Sequence, residues 1–244
     1  MPNIKLTIEY DGSGFRGWQV QPGQRTVQGE IERAVRKITG EFSRVTGAGR
    51  TDTGVHAAGQ VASVQMETGY PPEVIRRALN GNLPRDIRVR KAEKARPRFN
   101  ARYDACSRTY HYIFFRGETA LWRNYFFPTT FPLDLDAMRT GASELAGKND
   151  FSSFVTSAGV QDTTCRVISC SIIPTPPLLT ISVKADRFLY NMVRAIAGTL
   201  FNIGRGKGLG MKEILGARDR RAAGTNLPAS ALYLMEVRYR PPGA

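Results

Sequence analysis

The sequence predicts an α+β fold made of two similar halves with antiparallel sheets. Three observations lead there. Short segments with period-two alternation are interspersed with segments of helical spacing. The order of these elements over the first hundred residues nearly repeats in the remainder. A strand pair around a proline-rich turn reads as a hairpin, which fits this order better than a doubly wound parallel sheet does. The join falls near residues 100–108, giving halves of 1–104 and 105–244.

Each element has a local reason. Ile4, Leu6, Ile8 and Tyr10 alternate with Lys5, Thr7 and Glu9, the pattern of a strand with one buried face. From Thr26, the residues Val27, Ile31, Ala34, Val35 and Ile38 recur at helical spacing, and Gly40 is the stop. Pro71-Pro72 opens a second helix with Val74, Ile75, Ala78 and Leu79, closed by Asn80-Gly81. Val45 to Ala48, Val61 to Met66 and Ile87 to Ala92 read as strands. In the second half, Thr109 to Phe115 is a strand and Leu135 to Leu145 a helix. Val167 to Ile173 pairs with Leu179 to Ala185 around Pro174–Pro177. A long helix is expected from about Leu189 to Ile203, a short one over Met211 to Gly216, and a last strand over Leu232 to Tyr239.

Composition narrows the function. The 244 residues carry 35 Lys+Arg against 21 Asp+Glu, a net charge of +14, and 27 of the 35 cations are arginine. Arginine holds phosphate with a planar fork and stacks on bases, so this excess points to nucleic acid. No apolar run approaches the ~18 residues of a membrane span, and MPNIKLTIEYDG lacks the apolar stretch of a secretory signal. A soluble, cytoplasmic protein is expected. Cys106, Cys165 and Cys170 form no CxxC pair, and with only His56 and His111 no zinc spacing can be assembled. Cys165 and Cys170 lie five apart in a strand, which places them on opposite faces.

Two glycine patterns fail as nucleotide loops. Gly12-x-Gly14-x-x-Gly17 follows a strand, but Trp18, Gln19, Gln21 and Pro22 stand where a dinucleotide-binding helix should begin. Its glycines are expected to let backbone approach a ligand. Gly204-Arg-Gly-Lys207 lacks the four-residue spacing and the Ser/Thr of a Walker loop. It remains a basic turn that either touches RNA backbone or is merely solvated.

The densest polar cluster is Gly47 to Ala57, where Arg50, Thr51, Asp52 and His56 crowd between glycines. Such a strand-to-loop transition can hold a carboxylate at a cleft floor. It can equally be a turn in which Asp52 caps amides and pairs with Arg50. Aromatics interleave with cations at Arg98-Phe99-Asn-Ala-Arg102-Tyr103 and Ser107-Arg108-Thr109-Tyr110-His111-Tyr112, the combination that holds single-stranded or flipped bases. Arg194 lies in an otherwise apolar helix, where it needs a partner.

Taken together, these segments resemble the TruA family of tRNA pseudouridine synthases. The shared features are Tyr10-Asp11-Gly12 with Phe15-x-Gly17-Trp18-Gln19; Gly49-Arg50-Thr51-Asp52-Thr53-Gly54-Val55-His56-Ala57; Phe99-Asn100-Ala101-Arg102; and Ser107-Arg108-Thr109-Tyr110-x-Tyr112. Asp150-Phe151-Ser-Ser-Phe154 and Phe188-Leu189-x-x-Met192-Val193-Arg194 complete the set. They are collinear and cover residues 4 to 240.

The resemblance implies the pseudouridine synthase fold: two ferredoxin/RRM-like α+β halves joined into one central antiparallel sheet, with a cleft between them. It implies a homodimer that isomerises uridine at positions 38, 39 and 40 of the tRNA anticodon stem-loop, with no cofactor, nucleotide or metal. Asp52 is then the essential carboxylate, Tyr110 packs on the target base, and Arg194 pairs with Asp52. Arg50 is expected to help displace the base, and Thr51, His56, Arg102 and Arg108 join it in substrate binding. The redox-neutral chemistry explains the absence of nucleotide and metal motifs. One segment departs from the family pattern: Ala223-Gly-Thr-Asn226-Leu-Pro228-Ala-Ser-Ala231 lacks the later glycine of an AGxTAPAxGL-like run.

The remaining cations, such as Arg76, Arg77, Arg88, Arg90, Arg218, Arg220 and Arg221, are expected at phosphates. Two other readings compete: a non-catalytic tRNA-binding or chaperone protein of the same fold, and an enzyme that excises the base.

Overall fold

A computed structural model describes residues 2–156 and 161–240. The chain forms two units. One comprises the chain up to Cys106 together with the chain from Tyr233 onward, and the other is Ser107–Leu232. The last strand thus leaves the half, 105–244, to which sequence order assigned it. Alternation identifies a strand but says nothing of its partner.

In the first unit, β1 (Asn3–Tyr10) lies between β3 (His56–Gln65) and β4 (Ile87–Ala95), antiparallel to both. Its inward face is Ile4, Leu6, Ile8 and Tyr10, all buried. Burying each such aliphatic side chain contributes about 1.5–3 kcal/mol. The short β2 (Thr46–Gly47) pairs with β3, so only the middle of the expected Val45–Ala48 strand forms a ladder. β10 (Leu232–Tyr239) runs parallel to β3, with Tyr233 opposite His56 and Leu234 opposite Ala57. The sheets are therefore mostly, not wholly, antiparallel.

β3 begins at His56, well before the expected Val61, because it is buried on both faces and shows little alternation. Two helices complete the unit. α1 (Val27–Thr39) starts where Thr26 Oγ1 accepts the Gly29 amide at 3.3 Å, and buries Val27, Ile31, Ala34 and Val35. α2 (Pro72–Asn82) buries Ile75 and Leu79. Asn80 does not end it. Its carboxamide donates to Val89 O at 2.9 Å and accepts from Val89 N at 2.8 Å, tying helix to strand.

In the second unit, β5 (Ala105–Arg116), β9 (Leu178–Ala185), β8 (Thr164–Thr175) and β7 (Gly147–Asp150) pair antiparallel in that order. β6 (Phe127–Thr129) adds a short parallel ladder on β5. β6 and β7 are too short to leave a period in the sequence. The register slips between Val167 and Ser169, leaving Ile168 as the extra residue. This bulge reverses the alternation and puts Cys165 and Cys170 on one face, correcting the expected opposition. The buried residues run Cys165, Val167, then Ile172. All three cysteines are free thiols.

α3 (Leu135–Ser143) is capped by Asp134 Oδ1, which accepts from the Asp136 and Ala137 amides. α4 (Met192–Gly204) buries Met192, Ile196 and Leu200 on the expected face. It begins three residues later than its periodicity suggests, because Asn191 takes a left-handed conformation (φ 61°, ψ 2°) that breaks the helix. α5 (Met211–Ala217) follows. No helix of the described residues is long and apolar enough to cross a membrane, and none of their His, Cys, Asp and Glu side chains form a metal-holding group of three.

Candidate active site

Asp52 sits, half-buried, in the loop joining β2 to β3, flanked by exposed Arg50 and Thr53 and by buried Thr51. A turn closes the loop, with the Val55 amide donating to Asp52 O at 3.1 Å. The neighbouring backbone is fixed from several sides. Thr51 Oγ1 meets the Tyr10 hydroxyl at 2.7 Å in the interior, a bond that contributes about 0.5–1.5 kcal/mol. Burial pushes the Tyr10 phenol well above its ordinary value, although the Thr51 and Gln60 bonds oppose the shift. It stays neutral and able to donate. Gln60 Nε2 donates to Gly49 O at 2.8 Å, and Trp18 N donates to Thr51 O at 3.0 Å.

Gly12 and Gly17 of the failed dinucleotide motif serve this loop rather than a ligand. A Cβ on Gly12 would fall 2.1 Å from Val55 O, and one on Gly17 would fall 2.6 Å from Thr51 O. Gly17 also has φ +84°, which disfavours any side chain. The segment 12–18 therefore lies directly against residues 51–55. From its other edge, Gly17 O and Trp18 O accept the Val27 and Gln28 amides at the start of α1. The carboxylate loop is thereby tied to β1, β3 and α1.

His56 has an interior role. It is 3% exposed, its Nδ1 accepts the Gly12 amide at 3.0 Å and lies 3.2 Å from Asp11 Oδ1, and its ring stacks on Tyr233 at 4.7 Å. It holds the turn behind the loop, not the surface in front of it. Arg102 is exposed in the turn after Asn100, which accepts its amide at 2.9 Å, and its guanidinium lies 5.5 Å from the Tyr103 ring. The structure thus gathers Arg50, Thr51 and Asp52 into one loop, sets His56 at the first residue of β3, and puts Arg102 on a separate turn.

In the second unit, Tyr110 projects inward from β5 and meets Phe188 edge-on at 5.1 Å. Arg108, two residues earlier, donates to Asp186 O at 2.8 Å. Arg194 occupies the first turn of α4, and its guanidinium is fastened along one side. Nε donates to Leu227 O at 2.6 Å and Nη1 to Asn191 Oδ1 at 2.9 Å. Its positive charge also acts on buried Tyr112, whose hydroxyl donates to Pro228 O at 3.0 Å.

The segment that departs from the family pattern is what holds Arg194. Residues 224–225 pack against α4 so closely that a Cβ on Gly198 would fall 2.0 Å from Thr225 O. Thr199 Oγ1 accepts the buried Gly224 amide at 2.8 Å. Ala231, where the family pattern has glycine, is fully buried in a short 3-10 turn. Sequence reading missed Tyr10, Asn191, Thr199 and Leu227 as supports. Asn191 alone leaves a signal, being of a type that favours left-handed backbone before a helical run.

Arg220 also differs from expectation. Its guanidinium turns inward to Ala223 O and Asn226 Oδ1, and Arg88 donates to Pro84 O and Ile87 O. Arg76, Arg90, Arg218 and Arg221 form surface pairs with Glu73, Glu9, Asp150 and Asp219. Such exposed pairs are weak and can exchange for phosphate.

The family model for tRNA pseudouridine synthases matches residues 6–104 and 142–240, a span that includes the Gly-Arg-Thr-Asp loop. The chain belongs to this family. The tRNA pseudouridine synthase A of Caldicellulosiruptor bescii is 41% identical over 98% of this chain and 100% of its own length. That of Syntrophomonas wolfei is 40% identical over 98% of both. Among solved structures, the archaeal box H/ACA sRNP Nop10-Cbf5 complex aligns with a TM-score of 0.35 and 13% identity, over 84% of this chain and 43% of that one. That likeness is too distant to bear on fold or function.

Proposed function

We propose that this protein isomerises uridine to pseudouridine at positions 38, 39 and 40 of the tRNA anticodon stem-loop, acting in the cytoplasm as a homodimer. The observation that carries the reading is the Asp52 loop: its Gly-Arg-Thr-Asp-x-Gly-Val-His-Ala string is that of the family, and its backbone is held from β1, β3 and α1. Family membership supports the tRNA substrate. Three free thiols fit a reducing compartment.

In the reaction, the N1–C1′ bond breaks, the uracil turns while held, and C5 bonds to C1′. The C5 proton then leaves and N1 gains one, so no atom or electron is lost overall. Asp52 serves as nucleophile at C1′ or as base at C2′. Tyr110 offers a flat, buried face to the detached base. By the family resemblance, Arg194 would pair with Asp52 and keep its carboxylate ionised, since an opposite charge favours the charged form. Arg50, Thr51, Arg102 and Arg108 contribute to holding the RNA.

The test is pseudouridine mapping on the anticodon arm of unmodified tRNA, with wild type and Asp52→Asn. Wild type should convert uridines at 38–40 and the variant none, while both bind tRNA similarly. Turnover by Asp52→Asn would refute the role of Asp52. Equal RNA behaviour of both proteins, with no product, would favour a non-catalytic tRNA-binding protein. Free uracil in the products would make the enzyme an excising one.

A further inference from the structure

A cavity of about 530 Å³ opens in the second unit, beside the C-terminal half of α4. Its walls come from β6 and the residues after it (Phe127, Phe131), from α4 (Phe201, Asn202) and from the 223–228 segment (Leu227). Arg205 stands at its edge, its guanidinium stacked 3.9 Å from the Phe131 ring and 5.3 Å from that of Phe201. Phe131 is half exposed although it belongs to this aromatic group, so part of its surface is left for another flat partner. Next to Arg205 runs the basic turn of Gly206, Lys207 and Gly208, which the Asp52 chemistry does not use.

The position of this cavity relates it to the proposed reaction. Arg194, Gly198, Phe201, Asn202 and Arg205 recur at helical spacing along one stripe of α4. Arg194 and Arg205 are thus separated by about 16 Å along the helix axis. The segment through Leu227 lies between them: its carbonyl holds the Arg194 guanidinium, and the same residue lines the cavity.

We propose that this cavity is a nucleotide-binding subsite that takes an unpaired nucleotide of the RNA substrate, away from the reacting uridine. The base enters among Phe131, Phe201 and the Arg205 guanidinium, because stacking between aromatic rings and arginine is how single-stranded bases are held. Its phosphate lies towards Arg205 and Lys207, since the carboxylate of Glu118, also among the lining residues, repels an anion. The amides of Arg205, Gly206 and Lys207 already donate to carbonyls at the end of α4, so side chains rather than backbone must hold the phosphate. Asn202 supplies an amide that can both donate to and accept from a base edge. The volume suits a single bound small molecule or nucleotide, within the range of ordinary ligand cavities. The inference rests on an RNA substrate, as proposed above.

The experiment measures binding of unmodified tRNA across a salt series for wild type, Arg205→Met and Phe131→Leu, with size-exclusion light scattering of each. Arg205→Met keeps a packing stem on Phe131 but removes the charge. Arg139→Met, on an exposed part of α3, is the control for loss of one cation. Each cavity variant should weaken tRNA binding by about tenfold. Arg205→Met should also lower the salt slope by about one, whereas the control should do much less. Unchanged affinity and slope in both cavity variants would overturn the proposal. So would an affinity loss accompanied by a change of particle mass, which would show that a second copy fills the cavity. If the expected binding losses appear but wild type makes no pseudouridine, the subsite stands and the proposed reaction fails.

Discussion

Replacing Gly17 by alanine should slow the reaction without touching any reacting group. Two costs can be separated. At φ +84° any side chain is strained, which costs about 1–2 kcal/mol. The new Cβ would also lie 2.6 Å from Thr51 O and 3.2 Å from the Asp52 carbonyl carbon. To regain ordinary contact the loop backbone must retreat by about 0.8 Å, and such overpacking costs a further ~1–3 kcal/mol. Misplacement of that size at a reacting group lowers rates by on the order of 10²-fold. Gly23 supplies the control. It too has a positive φ, +69°, but a Cβ there meets nothing within 4 Å. Gly23→Ala should therefore show the strain cost alone, with normal turnover. Urea denaturation and single-turnover pseudouridine formation at saturating tRNA measure the two effects. If Gly17→Ala turns over as fast as Gly23→Ala, contact between segment 12–18 and the loop does not place Asp52.

Two further outcomes follow from the second unit. Thr199→Val removes the acceptor of the buried Gly224 amide and should cost about 1–3 kcal/mol by urea denaturation, while Thr199→Ser retains most of the stability; equal stability of the two variants would contradict this. Burial holds the His111 imidazole below its ordinary 6.5, so the unfolded chain takes up its proton first. The contribution of neutral His111 is complete above pH 6.5 and is lost as pH falls through the folded value. His111→Gln should flatten that part of the stability–pH curve, and an unaltered slope would place its origin elsewhere.

Much of the architecture was legible because its cause is local. β1 alternates cleanly since one face is buried, α1 carries a threonine cap and a glycine stop, and β10 was bounded correctly by its own alternation. β3 was legible only in part, because burial on both faces erases the period. The start of α4 was misplaced because its periodicity continues through Asn191 while the backbone does not. For the candidate site, the Gly-Arg-Thr-Asp string marked the loop, and nothing near it in sequence marked Tyr10 as its support. The glycines at 12 and 17 drew notice for their spacing, but their contact surface is a loop some forty residues away.

The sequence by itself determined the α+β class and the basic character, and it singled out the Asp52 loop and the arginine in α4 as candidates. Each depends on residue type or on repeats within one element. The tertiary structure alone decided that the final strand lies beside β3, that His56 is interior, that Arg220 turns inward, and that residues 223–228 fasten Arg194. These depend on contacts between residues distant along the chain, whose energies come from burial and hydrogen bonding that no local pattern records.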